Sequence, residues 1–164
     1  MSHQPVIDAA EFAAAGAKQR GVLPLSGFPR LRDMLASDAG EVAYEIEGAR
    51  DARGRPGLII RVRGIVLLRC QRCLEPLAYD VGSEETLVLA ASQAEIDAEP
   101  VEVDVPDRVV ASADMPVRDL VEDELILAVP FAPRHASCAG GAAAGESAKS
   151  LPFAKLRGLM RNRH

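Results

Sequence analysis

All three cysteines of this 164-residue chain fall into i, i+3 pairs, Cys70 with Cys73 in Cys-Gln-Arg-Cys and Cys138 with His135 in His-Ala-Ser-Cys. Such a pair on a tight turn aims two side chains at one point, and two pairs supply the four N/S ligands that zinc takes in structural sites. Because 61 residues separate Cys73 from His135, far more than a compact zinc finger spans, the rest of the fold has to bring the pairs together. Cysteines also occur as small buried hydrophobes, so the spacing leaves both readings open. The odd cysteine count argues against a disulfide scaffold and fits a reducing compartment.

Charge is segregated along the chain, which the net value of −5 conceals. From Arg50 to Cys73 seven arginines face only Asp51, from Gly82 to Val129 thirteen acids face Arg108 and Arg118, and from Lys149 to His164 there are five bases and no acid. An acidic middle between basic segments can bind its own ends, receive a basic partner, or turn its acids away while a basic face meets phosphate. It is also compatible with an ordinary solvated surface. Arg61, Arg63, Arg69 and Arg72 are the candidates for phosphate contact, since alternation puts 61 and 63 on one face of a strand.

The periodicity predicts an α+β domain over residues 1–138. A first helix over Ile7 to Ala17 is capped by Asp8 and ended by Gly21, and Leu31, Met34 and Leu35 at helical spacing predict a second short helix closed near Gly40. The period then changes to two. Val42, Tyr44 and Ile46 alternate with charged or small residues, Leu58 to Leu68 resumes after a turn-rich stretch, and Leu77 to Val81 and Thr86 to Ala90 return as a second long strand. Cys70 to Pro76 becomes the tip of an antiparallel hairpin, with Gly64 marking a bulge. Val101, Val103 and Val105 read as a further strand. Asp114 caps a central helix with Pro116 in its first turn; Val117, Leu120, Val121 and Ala128 form one face, and Asp119, Glu122, Asp123 and Glu124 cover the solvated other until Pro130 and Pro133 stop it. With 48% hydrophobic but only 4% aromatic residues and no Trp, the core is expected to consist of Ala, Val and Leu.

Residues 139–150 read as a flexible Gly, Ala and Ser-rich linker, and 151–164 as a short basic amphipathic segment in which Phe153, Leu156 and Met160 keep helical spacing beside Lys155, Arg157, Arg161 and Arg163. That segment could dock on its own domain, contact RNA or bind a protein groove. No apolar run approaches the roughly 18 residues of a membrane span, and the N-terminus lacks the basic start and apolar centre of a signal peptide. The expected location is cytoplasmic, with no membrane partner.

Enzymatic chemistry finds little support. There is no Gly-rich dinucleotide loop or P-loop, and no Ser or Cys stands in a nucleophile motif. Arg69 and Arg72 could stabilise a thiolate in a redox pair, but such pairs open a helix in a βαβ unit whereas this one tips a hairpin.

Three stretches carry a resemblance. Cys70-Gln71-Arg72-Cys73-Leu74-Glu75-Pro76, the run Leu120-Val121-Glu122-Asp123-Glu124-Leu125-Ile126-Leu127-Ala128-Val129-Pro130 leading to Pro133, His135 and Cys138, and Pro152-Phe153-Ala154-Lys155-Leu156 resemble the YceD family. Ile7-Asp8-Ala9-Ala10-Glu11-Phe12, Gly21 and Arg30-Leu31 follow the same order. The resemblance implies a cytoplasmic factor needed for synthesis, processing or stability of large-subunit (23S) ribosomal RNA, without a catalytic mechanism and without an established metal. Cys-x-Arg-Cys is the family's hallmark, but the downstream His and Cys are not uniform among members, so a structural zinc rests on this chain's own spacing. The Ala and Gly-rich insert before Leu151 is not a family feature. The expected function is that of a non-enzymatic ribosome-biogenesis factor acting on large-subunit RNA or a precursor particle. The alternative is a protein-interaction module or chaperone whose acidic middle binds a basic ribosomal protein.

Overall fold

A computed structural model describes residues 5–100 and 105–138. In chain order the elements are β1 (Val6–Ile7), α1 (Ala9–Ala15), β2 (Lys18–Pro24), β3 (Leu35–Ser37), β4 (Glu41–Arg50), β5 (Pro56–Arg69), β6 (Pro76–Ala90), α2 (Gln93–Ala98), β7 (Asp107–Val110), β8 (Met115–Pro116) and α3 (Val117–Ala128). Six strands form one sheet in the order β2-β4-β5-β6-β7, with β3 paired to β5, while β1 and β8 make a separate two-stranded ladder. All pairings are antiparallel except β6 with β7, which α2 links as a crossover. The α+β class and the cysteine-tipped hairpin are as expected.

Strict alternation makes the sheet two-faced. Val42, Tyr44 and Ile46 of β4 and Leu58, Ile60, Val62, Val66 and Leu68 of β5 point to the buried side, where α1 and α3 pack. Helix α1 crosses β4 so closely that a Cβ on Gly48 would collide with the Phe12 carbonyl oxygen. The helix starts where Asp8 Oδ1 accepts from the Glu11 N–H at 2.9 Å and ends at Gly16, whose left-handed φ of 57° suits glycine.

Several expectations are corrected. The first helix stops at Ala15, and Gly21 lies inside β2, a strand that its Gly and Pro do not announce; the bare Cα of Gly21 leaves room for the Tyr44 ring. Leu31, Met34 and Leu35 do not form a second helix: a single 3-10 turn over Arg32–Met34 gives way to β3, because Leu35 and Ser37 find partners on β5 where β4 has ended. Gly64 marks no bulge; it sits in unbroken register opposite Val42 and Val81, and its missing side chain makes space for Val42. Asp114 does not cap α3, whose N-cap is Pro116 without a side-chain hydrogen bond. The strand expected around Val101, Val103 and Val105 falls mostly on 101–104, outside the described residues, as do 139–150 and 151–164. β7 follows at Asp107.

The acids of α3 are the largest correction. Glu122 and Glu124 are 1% and 5% exposed rather than solvated. Glu122 Oε1 accepts from the backbone N–H of Arg30 at 2.6 Å and of Leu31 at 3.1 Å, its Oε2 pairs with Arg30 Nε at 3.1 Å, and Arg30 reaches on to Asp123. The Ser83 hydroxyl of β6 donates to Glu124, whose carboxyl is pushed up by burial and by nearby Glu85. Helix α3 is therefore covered on two sides, by the sheet and by the loop that carries Arg30.

Candidate metal centre

The hairpin of β5 and β6 turns over at Cys70 to Glu75. Within that turn the Leu74 N–H donates to the Cys70 carbonyl at 2.9 Å and the Cys70 N–H to the Glu75 carbonyl at 3.0 Å, a closure that holds Leu74 at a φ of 65°. A left-handed non-glycine is costly and persists where its surroundings fix it. The second pair arrives after α3, where Pro130 and Pro133 keep the chain extended. The Gln71 N–H donates to the Pro133 carbonyl at 2.8 Å and clips the second turn onto the first.

The sequence's four candidate ligands come together. Cys70, Cys73, His135 and Cys138 have their ligand atoms within 4.8 Å of one another, with Sγ of Cys70 and Cys138 3.7 Å apart, Cys73 Sγ 3.4 Å from His135 Nδ1, and Cys138 Sγ 4.0 Å from the same nitrogen. Tetrahedral zinc with bonds of about 2.3 Å to sulfur and about 2.0 Å to nitrogen has edges of roughly 3.5–3.8 Å, so the cluster is already near the size of such an ion's shell. His135 Nε2 stands 3.0 Å from the Pro76 carbonyl, which makes Nε2 the protonated nitrogen and leaves the Nδ1 lone pair for the centre.

The electrostatics agree with a cation site. Backbone N–H groups of Cys73, then Arg72 and His135, are aimed at the Cys70 sulfur and lower its thiol to about 5 despite burial. Although the Glu75 N–H pulls the other way, burial and the neighbouring sulfurs of Cys70 and Cys138 push Cys73 up. Cys138 and Cys70, followed by the Pro76 carbonyl, raise His135. Thiols competing for one proton pool around an imidazole are the arrangement a divalent cation relieves. With three sulfurs and one nitrogen as donors, these residues can hold a metal.

The candidate phosphate contacts separate into two kinds. Arg61 is engaged by its own sheet: the register sets it opposite Glu45 and Glu84, and it bonds Glu84 at 2.5 Å, Glu45 at 2.8 Å and Glu47 at 3.0 Å. Arg63, Arg69 and Arg72 are exposed and have no ion pair among the described residues. Arg63 and Arg69 project from the face of β5 opposite α3, and Arg72 from the knuckle itself. Two further cations stand close by without having been marked by any sequence pattern above. Arg20 and Arg63 line one shallow hollow over Gly21 and Val22, and Arg134 is exposed on the second knuckle. Position next to a ligand histidine was the available signal for Arg134; for Arg20, on a strand without strand-like periodicity, there was none.

Sheet, central helix and joined knuckles define an α+β domain with a Cys3His cluster at the tip of its longest hairpin. Residues 58–159 match the family model for the large ribosomal RNA subunit accumulation protein YceD, a span that takes in the hairpin, α3 and both knuckles. The chain belongs to the YceD family. No curated protein and no solved structure matches it.

Proposed function

We propose that this protein is a non-enzymatic cytoplasmic factor that supports accumulation of large-subunit ribosomal RNA by holding RNA phosphates against its metal-bearing tip. The family description names large-subunit ribosomal RNA accumulation, and the observation that carries the contact is the set of exposed arginines without carboxylate partners among the described residues, Arg69 and Arg72 at the cysteine cluster and Arg63 about 20 Å back along β5. Three solvated guanidiniums on a rigid hairpin can take phosphates by fork geometry without reordering the chain. Arg61, with Lys18 on Glu47, then serves as the support that offsets most of the charge of Glu45, Glu47 and Glu84 and so weakens their repulsion of the RNA. Zinc, in this reading, is a scaffold: it joins the two knuckles and fixes Arg72 and Arg134. No helix among the described residues is long and apolar enough to cross a membrane.

Changing Arg63 and Arg69 together to Ala is expected to weaken binding of large-subunit RNA and to reduce the slope of log affinity against log salt by about one for each phosphate no longer bound. Filter binding at several salt concentrations measures both. An unchanged slope would move the RNA interface elsewhere. The acidic middle supports a second reading, docking of a basic ribosomal protein, and a pull-down from lysate that survives ribonuclease and fails when acids of α3 are neutralised would favour it.

A further inference from the structure

Between α3 and strands β6 and β7 lies an open groove of about 550 Å³. Its floor is apolar, with Leu87, Val109, Met115, Leu120, Ile126 and Leu127 among the lining residues. Leu127 is 72% exposed and Phe131, just beyond the helix, 99% exposed, so this edge of α3 leaves two large apolar side chains in water. The groove is also acidic. Glu85, Asp107 and Glu124 line it with no cation paired to them among the described residues, and Asp119 and Asp123 stand at its rim. Its two arginines are spoken for, Arg30 by Glu122 and Asp123 and Arg108 by Glu95 and Glu99.

A groove with an apolar floor and acidic walls fits a basic amphipathic helix, and this chain carries one such sequence. Residues 151–163 hold Phe153, Leu156 and Met160 at i, i+3, i+7, four bases and no acid, with Pro152 where a first helical turn accepts it. Thirteen helical residues would extend about 20 Å, against about 18 Å for the twelve of α3. The connection is long enough. Cys138 is fixed beside Cys70, and Tyr79, paired with Val66 four residues along β5 from Cys70, donates its hydroxyl to the Ala128 carbonyl at the end of α3. That places the near end of the groove about 13 Å from the knuckles, and the twelve intervening residues can reach about 40 Å. The family match, over residues 58–159, includes α3, β6 and β7 on the groove side and the segment as far as residue 159.

We propose that residues 151–163 occupy this groove in cis, laying Phe153, Leu156 and Met160 on its apolar floor and Lys155, Arg157, Arg161 and Arg163 against its acidic walls. Tethering raises the segment's local concentration to the millimolar range, so a weak intrinsic affinity is enough. Docking covers Leu127, offsets the acidic walls of the groove, and withholds four cations from RNA until a competitor takes the groove.

The test uses the full chain with the photo-crosslinking amino acid benzoylphenylalanine in place of Phe153, irradiated at low micromolar concentration and mapped by mass spectrometry. The expected products are intramolecular links to peptides carrying Val109, Leu120 or Leu127. Leu127→Asp, at an exposed position that leaves the fold intact, should cut their yield by about tenfold, and Glu85→Lys should weaken it in the same direction. Links to another surface, links between two chains, links only to added ribosomal proteins or RNA, no links at all, or a yield indifferent to both substitutions overturn the proposal.

Discussion

Protein purified without chelator is expected to carry one zinc ion per chain, and Cys70→Ser to lose it. The reason is geometric: four ligand atoms within 4.8 Å of one another are held there by contacts that exist without the ion, the Gln71 to Pro133 and His135 to Pro76 hydrogen bonds above all. A preformed site binds without the ordering penalty that a peptide zinc finger meets, and its occupancy stabilises the folded state by mass action. The sheet has its own core away from the tip, so stripping the metal should loosen the second knuckle, left with those two hydrogen bonds, while α3 and the strands stay folded. The midpoint of thermal unfolding should fall by more than about 5 °C. Acid should release the metal, because every ligand has to be free of its proton to coordinate. Elemental analysis of the native protein and of Cys70→Ser decides the matter, and a zinc content near zero in the native protein rejects the scaffold. A redox pair predicts something different: a Cys70–Cys73 disulfide under mild oxidation, with Cys138 dispensable.

The convergence of Cys70, Cys73, His135 and Cys138 was legible because a metal-type cluster is written in residue type and short spacing, and both survive in one dimension. What held the site together was not. The clip from Gln71 to Pro133 and the choice of His135 Nδ1 over Nε2 depend on two segments 61 residues apart meeting in a particular register, which no local pattern encodes. Arg61 makes the same point. Its alternation with Ile60 and Val62 put it on the outer face, as found, yet whether it meets RNA or its own sheet turns on Glu45 and Glu84 standing directly opposite. A shift of one residue would have removed both carboxylates from that face.

Long alternating runs carried the fold. Val42 to Ile46 and Leu58 to Leu68 bury one side in a period of two, and strands over them follow from that alone. Short elements were lost to competition from tertiary pairing: Leu35 left a helical pattern for an open edge of β5, and Lys18–Pro24, with its Gly and Pro, carried no strand pattern although it completes the sheet's outer edge. Glu124 could have been placed from the sequence, since it lies four residues from both Leu120 and Ala128 and so falls within the apolar face of α3. Glu122 could not. It lies at the margin of that face, and only the Arg30 loop, 92 residues earlier in the chain, buries it.

That burial makes Glu122→Ala the most destabilising single substitution expected outside the metal cluster. The carboxylate accepts the N–H groups of Arg30 and Leu31 and the Arg30 guanidinium, and Leu31 is wholly buried. Removing it leaves two backbone donors without partners and frees one side of the half-exposed Arg30 guanidinium, which Asp123 still holds; at about 1–3 kcal/mol for each orphaned donor, the loss is about 3–5 kcal/mol. For a domain of this size the midpoint should fall by roughly 10–15 °C. Glu122→Gln retains an amide oxygen for the two N–H groups but loses the charge and turns an NH2 donor toward Arg30 Nε, so it should cost about half as much. Asp123→Ala removes the exposed partner of the same arginine, a pair worth about 0–1 kcal/mol. Urea midpoints that rise from Glu122→Ala through Glu122→Gln to Asp123→Ala are the signature of an anchor that works by satisfying backbone donors. If Asp123→Ala proved as harmful as Glu122→Ala, the arginine's charge rather than the loop's N–H groups would be what holds α3 to the start of the chain, and the loop would owe its conformation to the apolar packing of Leu31 and Phe28.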